Sequence, residues 1–175
     1  ALSTRGLRTG LLEAADEPVG AWPHYYDSLT LFSPAKYSAL PGLAFPGAPD
    51  RYPRRDEVID YLRRYAAGLD VDIVTGSRVE TVTCERDVYT AHTTDNSVTA
   101  PILIAATGYF GSPNIPSLPG LNTFGGTVLH TGDYRNPAAL ADQNIVVVGA
   151  GNSAVQIATE LAEVASVSLA SRRPP

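Results

Sequence analysis

Hydrophobic and polar positions along the chain change period several times, and each change marks an element. Leu7–Glu13 is apolar enough for a buried strand and is followed by a polar turn over Ala14–Gly20. Asp56–Ala67 repeats at the helical period, with Val58, Ile59, Leu62, Tyr65 and Ala66 on one face and Gly68 as the stop. Val71–Thr75, Val79–Cys84, Val88–Thr93 and Ser97–Ala100 alternate or are β-branched, which predicts a small antiparallel meander. Pro101–Thr107 is a strongly apolar strand ending at Gly108. Three prolines within Gly111–Gly120 predict an extended crossing segment. Asn144–Val148 reads as a fully buried strand, Ser153–Val164 as a helix and Val167–Ala170 as a second strand. The pattern is of the α/β class.

Between the first strand and the helix lies a stretch, Ala21–Pro53, with little periodicity but with Trp22, Tyr25, Tyr26, Phe32, Tyr37 and Phe45. Linkers seldom carry that many aromatics, so a long packed loop is expected. The first residues, Ala1–Gly6, read as a helix tail closed by a glycine, and the last βαβ pattern stops at Pro175. Parallel strands normally continue into a larger sheet, so the sequence suggests a piece of a longer fold.

Composition narrows the function. Of 175 residues, 44% are hydrophobic and 18% charged, which permits a packed core and excludes wholesale disorder. The net charge is −5 and Lys36 is the sole lysine, so neither nucleic acid nor an anionic membrane is an expected partner. Cys84 is the only cysteine, which rules out an intrachain disulfide and an all-cysteine zinc cage. No metal is expected. Apolar runs are too short to span a bilayer, and a protein of the reducing cytoplasm is the default.

The sharpest chemical signal is Gly149-Ala150-Gly151-Asn152-Ser153-Ala154, directly after one predicted strand and opening a helix. In a dinucleotide-binding turn the first glycine makes the tight bend and the second lets a pyrophosphate approach the backbone. The small third residue lets helix and sheet close up. The helix N-terminus then offers N–H groups and partial positive charge to phosphate. About 20 residues beyond the first glycine, an NAD site places an acid on the ribose hydroxyl. Here the stretch is Ala170-Ser171-Arg172-Arg173, without a carboxylate. An arginine fork matches a 2′-phosphate, so NADPH is favoured, although terminal arginines can also simply be solvated. Glu13 ends a predicted strand, where a second ribose-binding acid belongs in such a fold. Taken alone it reads more simply as a surface glutamate.

Together these residues resemble the class B flavin-dependent monooxygenases, which include flavin-containing, N-hydroxylating and Baeyer–Villiger enzymes. The family fingerprint F-x-G-x-x-x-H-x-x-x-[F/W/Y] is matched by Phe124, Gly126, His130 and Tyr134. Ala106-Thr107-Gly108 is similar to the family's A-T-G segment beside the flavin nucleotide. Glu13 with Gly20-Ala21-Trp22, and Pro53–Tyr61, resemble two further family stretches in the FAD domain.

The resemblance implies a two-dinucleotide-binding-domain, Rossmann-like flavoprotein with FAD and NADPH as cofactors. Residues 1–110 would be an incomplete FAD domain, 111–143 the interdomain linker with the fingerprint, and 144–175 the start of the NADPH domain. NADPH would reduce FAD, and a C4a-peroxyflavin formed with O2 would pass one oxygen atom to a small organic substrate. Glu13, Trp22, Ala106, Thr107 and Gly108 would serve FAD, while Gly149, Gly151, Asn152, Ser153, Ala154, Ser171 and Arg172 would serve NADPH. His130 would couple the domains catalytically, or act as a hydrogen-bonded structural histidine; Trp22 reads equally as a core residue.

Departures accompany the likeness. The family's first glycine motif lies outside these residues, and Leu31-Phe32-Ser33-Pro34 holds no asparagine where several members carry one. Tyr134 in place of tryptophan points to a heteroatom oxygenase rather than a Baeyer–Villiger enzyme. A disulfide reductase would need a cysteine pair, and a short-chain dehydrogenase a tyrosine four residues before Lys36, where Phe32 stands. The alternative is a truncated, inactive remnant of such a flavoprotein, expected to bind flavin poorly by itself.

Overall fold

The computed structural model describes residue 2, residues 5–108 and residues 111–172. In chain order the elements are β1 (Gly10–Leu12), α1 (Ala35–Ser38), α2 (Arg55–Ala67), β2 (Asp72–Val74), β3 (Val79–Glu85), β4 (Val88–Thr93), β5 (Ser97–Ala100), β6 (Asn144–Val148), α3 (Asn152–Leu161) and β7 (Ser166–Ala170). The α/β class expected from the sequence is observed, with a small antiparallel sheet beside parallel pairs.

The chain divides into two compact units. The first comprises residues 1–23, 40–44 and 56–109, and the second 24–39, 45–55 and 110–175. Residues 24–39 and 45–55, assigned by the sequence division to the stretch 1–110, therefore pack in the second unit.

In the first unit, α2 buries Val58, Ile59 and Tyr61. Asp56 and Glu57 in its first turn and Arg64 in its last complement the helix dipole. Tyr61 was not on the apolar face read from the sequence, yet it is only 2% exposed. Its hydroxyl accepts the Leu40 N–H at 2.7 Å and donates to the Leu43 carbonyl at 2.6 Å, so a polar tip is satisfied as the ring is buried. Strands β3, β4 and β5 form the antiparallel sheet, with a two-residue hairpin at Arg86 and Asp87, both at positive φ. That left-handed pair matches the twist of the strands it joins.

Three expectations about this unit fail in whole or in part. Val71–Thr75 was assigned to the meander, but β2 instead pairs in parallel with β1, Leu11 opposite Ile73. Only Gly10–Leu12 of Leu7–Glu13 is strand. Pro101–Thr107 takes no strand pairing among the described residues, and Ile102 and Ile104 are 67% and 63% exposed. Apolar, extended residues become a strand only when a neighbour completes the hydrogen-bond ladder. At the start of the unit, the Arg5 and Leu7 N–H groups both reach the Leu2 carbonyl, with Gly6 at φ +73°. Residues 1, 3 and 4 of the expected helix tail lie outside the described residues.

In the second unit, β6 and β7 pair in parallel with Ile145 opposite Val167 and Val147 opposite Leu169. The connecting helix α3 spans Asn152–Leu161 and buries Ala154, Ile157 and Leu161. Ile157 and Leu161 cluster with Tyr26 and Tyr134, and Leu29, Leu140, Ile145, Val147 and Val167 pack around them. The expectation that β6 is buried on both faces is not met. Helix α3 covers one side, and on the other Val146 and Val148 are 64% and 60% exposed. The aromatic loop is packed in part: Ala35 and Tyr26 are buried, whereas Phe32 and Tyr37 are each 75% exposed.

Candidate nucleotide-binding turn and fingerprint segment

The β6–α3 turn has the geometry that phosphate binding asks of it. Gly149 sits at φ +133°, a conformation that side-chain-bearing residues rarely adopt, and its N–H donates to the Ala170 carbonyl at 2.8 Å. That bond fastens the turn to the end of β7. A Cβ at Gly149 would lie 3.6 Å from the Ala154 Cβ, an ordinary contact, so backbone angle and not crowding demands the glycine. Ala154 is 7% exposed and lets α3 close on the strands, as a small residue should.

Gly151 is the N-cap of α3, with φ −79° and no side chain capping the helix. A Cβ added there would meet nothing within 4 Å. The first N–H groups of α3 are thus left without intrahelical acceptors beside open space, and Asn152 and Ser153 are exposed at that end. An anion is the partner such an arrangement favours. Ser171 and Arg172 follow β7 and are exposed, and Arg173 lies outside the described residues.

The fingerprint residues do not form one cluster. Phe124 is 60% exposed and its ring lies over Gly126, where a Cβ would fall 2.5 Å from it. His130 is half-buried and its Nδ1 accepts the Gly132 N–H at 3.0 Å, while its carbonyl accepts the Asp133 N–H at 2.9 Å. With Nδ1 used as acceptor, a neutral ring carries its proton on Nε2. The turn so held delivers Tyr134 into the core, 3% exposed, with its hydroxyl donating to Glu160 Oε2 at 2.8 Å. Burial, reinforced by that acceptor and its charge, holds the Tyr134 phenol well above the usual tyrosine range.

Residues assigned to flavin lie in the first unit. Glu13 follows β1, half-buried, with its N–H bonded to the Val74 carbonyl and its Oε1 accepting the Ala15 N–H at 3.0 Å. Trp22 opens a single helical turn, Trp22–His24. Ala106, Thr107 and Gly108 are exposed and belong to no helix or strand, with Gly108 in the left-handed region at φ +72°.

Sequence reading missed Gln156, Asp27 and Arg55. Gln156 bonds Tyr26 and Thr30. Asp27 accepts from Arg55 at 2.6 Å and from Asn136 at 3.0 Å, and these bonds, Asn136 first, lower its pKa. No local pattern marks them, since each is one polar residue among several in its segment and its partners lie far along the chain.

Comparison with known proteins places these features in a family. The family model described as pyridine nucleotide-disulphide oxidoreductase matches residues 1–175. The CzcO-like oxidoreductase of Geobacillus kaustophilus is 40% identical over 144 residues, covering 81% of this chain and 41% of its own length. An Arabidopsis thaliana protein described as a probable indole-3-pyruvate monooxygenase, YUCCA4, is 33% identical over 163 residues, covering 91% of this chain and 40% of its own. A doubly substituted flavin monooxygenase from Stenotrophomonas maltophilia superposes with a TM-score of 0.93 at 35% identity, over 97% of this chain and 52% of that one. The chain spans about two-fifths of these curated relatives and about half of that structure.

The matching model's description includes disulphide chemistry, but Cys84, exposed on β3, is the single cysteine of these 175 residues. Among the described residues no helix is long and apolar enough to cross a membrane. With a Rossmann-like turn in its second unit and flavin monooxygenases among its structural neighbours, the chain belongs to the pyridine nucleotide-disulphide oxidoreductase family.

Proposed function

We propose that this chain carries the dinucleotide-handling segments of an FAD- and NADPH-dependent monooxygenase that places one oxygen atom from O2 into a small organic substrate. The observation that carries the reading is the uncapped N-terminus of α3 behind a glycine turn at φ +133°. Together FAD and NADPH supply hydride transfer and oxygen activation. The chain's residues supply position. The α3 N–H groups, with Gly151, Asn152 and Ser153, bind the NADPH pyrophosphate, and Gly149 and Ala154 keep that helix end where the phosphates arrive. Ser171 and Arg172 take the 2′-phosphate. Glu13 accepts the FAD ribose hydroxyls, Ala106-Thr107-Gly108 runs beside the flavin nucleotide, and Trp22 packs against it. His130, fixed through Nδ1, holds the turn into Tyr134. A cytoplasmic setting agrees with the lone cysteine.

Titration of the chain with NADPH and NADH tests the nucleotide half. A guanidinium–phosphate bond contributes about 1.5–3 kcal/mol, so Arg172→Glu should weaken NADPH by about 10–100-fold and leave NADH unchanged. Equal effects on both nucleotides, or no binding of either to the folded chain, overturn the reading.

A further inference from the structure

Helix α3 is gripped from outside the β6–α3–β7 element by residues of the aromatic loop. Ser153, Gln156 and Glu160 follow one another at spacings of three and four, so they share a face. The Tyr26 hydroxyl donates to Gln156 Oε1 at 3.0 Å. The same oxygen accepts the Thr30 N–H at 3.4 Å, and Gln156 Nε2 donates to the Thr30 carbonyl at 3.0 Å. One side-chain amide thus takes both backbone groups of Thr30, as a neighbouring strand would.

Tyr26 is 5% exposed and its ring centre lies 6.1 Å from that of Tyr134. Burial raises the Tyr26 phenol, a Ser153 hydrogen bond works against the shift, and the Glu160 charge adds to it. Tyr26 is thus bonded to the middle of α3 through Gln156, one turn from Asn152 at the helix start. The segment around it is bound elsewhere too: Asp27 N–H donates to the Arg135 carbonyl, Leu31 N–H to that of Pro53, and Arg55 N–H to that of Leu29.

We propose that Gln156 is a positioning residue that couples occupancy of the α3 N-terminus to the order of residues 26–31. Gln156 lies one turn inside the helix. A pyrophosphate held at Gly149–Ser153 stiffens that turn, and with it the amide holding Thr30. The loop bearing Phe32 and Tyr37 is tightened as a result. Coupling of this kind is reciprocal, so the ordered loop raises nucleotide affinity by the same factor. The inference rests on the nucleotide reading above.

Amide hydrogen exchange on the 175-residue chain, with and without NADPH, tests it. In the unsubstituted chain, saturating NADPH should slow exchange at the α3 amides and at Thr30 and Leu31 together. In Gln156→Ala, nucleotide-free Thr30 should exchange about tenfold faster, from loss of a hydrogen-bond acceptor. NADPH should still protect α3 there but no longer Thr30. Tyr26→Phe, which removes one hydroxyl and keeps the ring, should give an intermediate loss and covers the case in which Gln156→Ala does not fold. Equal protection of Thr30 by NADPH with and without the Gln156 amide overturns the coupling. So does protection of α3 in the unsubstituted chain without protection of Thr30. Protection at neither place overturns the nucleotide reading and the coupling with it, and nucleotide-free Thr30 exchange then still reports whether Gln156 holds the loop.

Discussion

Replacing Gly149 and Gly151 separately by alanine divides the two jobs of the glycine turn. At Gly149 the backbone sits at φ +133°, and forcing an alanine there costs about 1–3 kcal/mol of strain. The new methyl meets the Ala154 Cβ at 3.6 Å, so crowding adds nothing. Alanine also reduces the freedom of the unfolded chain, returning about 0.4–1 kcal/mol. The expected net loss is about 1–2 kcal/mol, or about 2–8 °C in Tm for a chain of this size. At Gly151 the φ of −79° suits alanine and the space is open. Its weaker capping and its unfolded-state gain nearly cancel, so stability should stay within about 0.5 kcal/mol. The methyl nevertheless occupies the approach of the pyrophosphate, and NADPH affinity should drop by at least about tenfold. Urea unfolding monitored by circular dichroism, with a parallel nucleotide titration, reads both. A Gly149→Ala chain as stable as the parent, or a Gly151→Ala chain that binds NADPH undiminished, refutes the division.

Two further changes probe the core beside the turn. Tyr134→Phe removes the hydroxyl that donates to Glu160 and should cost about 1–2 kcal/mol by urea unfolding. Because the fold raises the Tyr134 pKa, this residue's contribution is complete below the unfolded value, about pH 10, and is lost as pH climbs through the higher folded value. The parent should therefore lose stability faster than Tyr134→Phe above about pH 10, and parallel curves there would contradict the assignment. Leu161→Ala, at a side chain 2% exposed, should cost about 2–5 kcal/mol in the same assay; a loss under about 1 kcal/mol would mean that the α3 face is not the core described.

What could be read from the sequence was local. The β6–α3–β7 segment was found in order, with β6 matched and α3 ending three residues before the Val164 read from the sequence, since strand, glycine turn and helix are successive and each states its own period. The helix Arg55–Ala67 was equally plain. The pairing of β2 was misassigned because a parallel partner, here β1, lies about 60 residues away and leaves no mark on the sequence near Ile73. Pro101–Thr107 shows the opposite failure: its apolar residues suit a strand, but pairing needs a neighbour that composition does not supply. At the site, Gly149 and Ala154 stood out because their chemistry is tied to fixed spacing. Gln156 did not, since its partners Tyr26 and Thr30 precede it by 130 and 126 residues.

Trp22, the chain's sole tryptophan, belongs to the first unit, whereas Tyr26 and Tyr134 lie in the core of the second. Buried phenols occur in both units, Tyr61 in the first and Tyr26 and Tyr134 in the second, so indole is the chromophore that belongs to one unit alone. Emission excited at the red edge, where only indole absorbs, follows the melting of the first unit, while near-ultraviolet dichroism sums Trp22 with the buried phenols of both units and follows the chain as a whole. Coincident curves would describe one cooperative protein, and separated curves would give each unit its own transition, without any label being introduced.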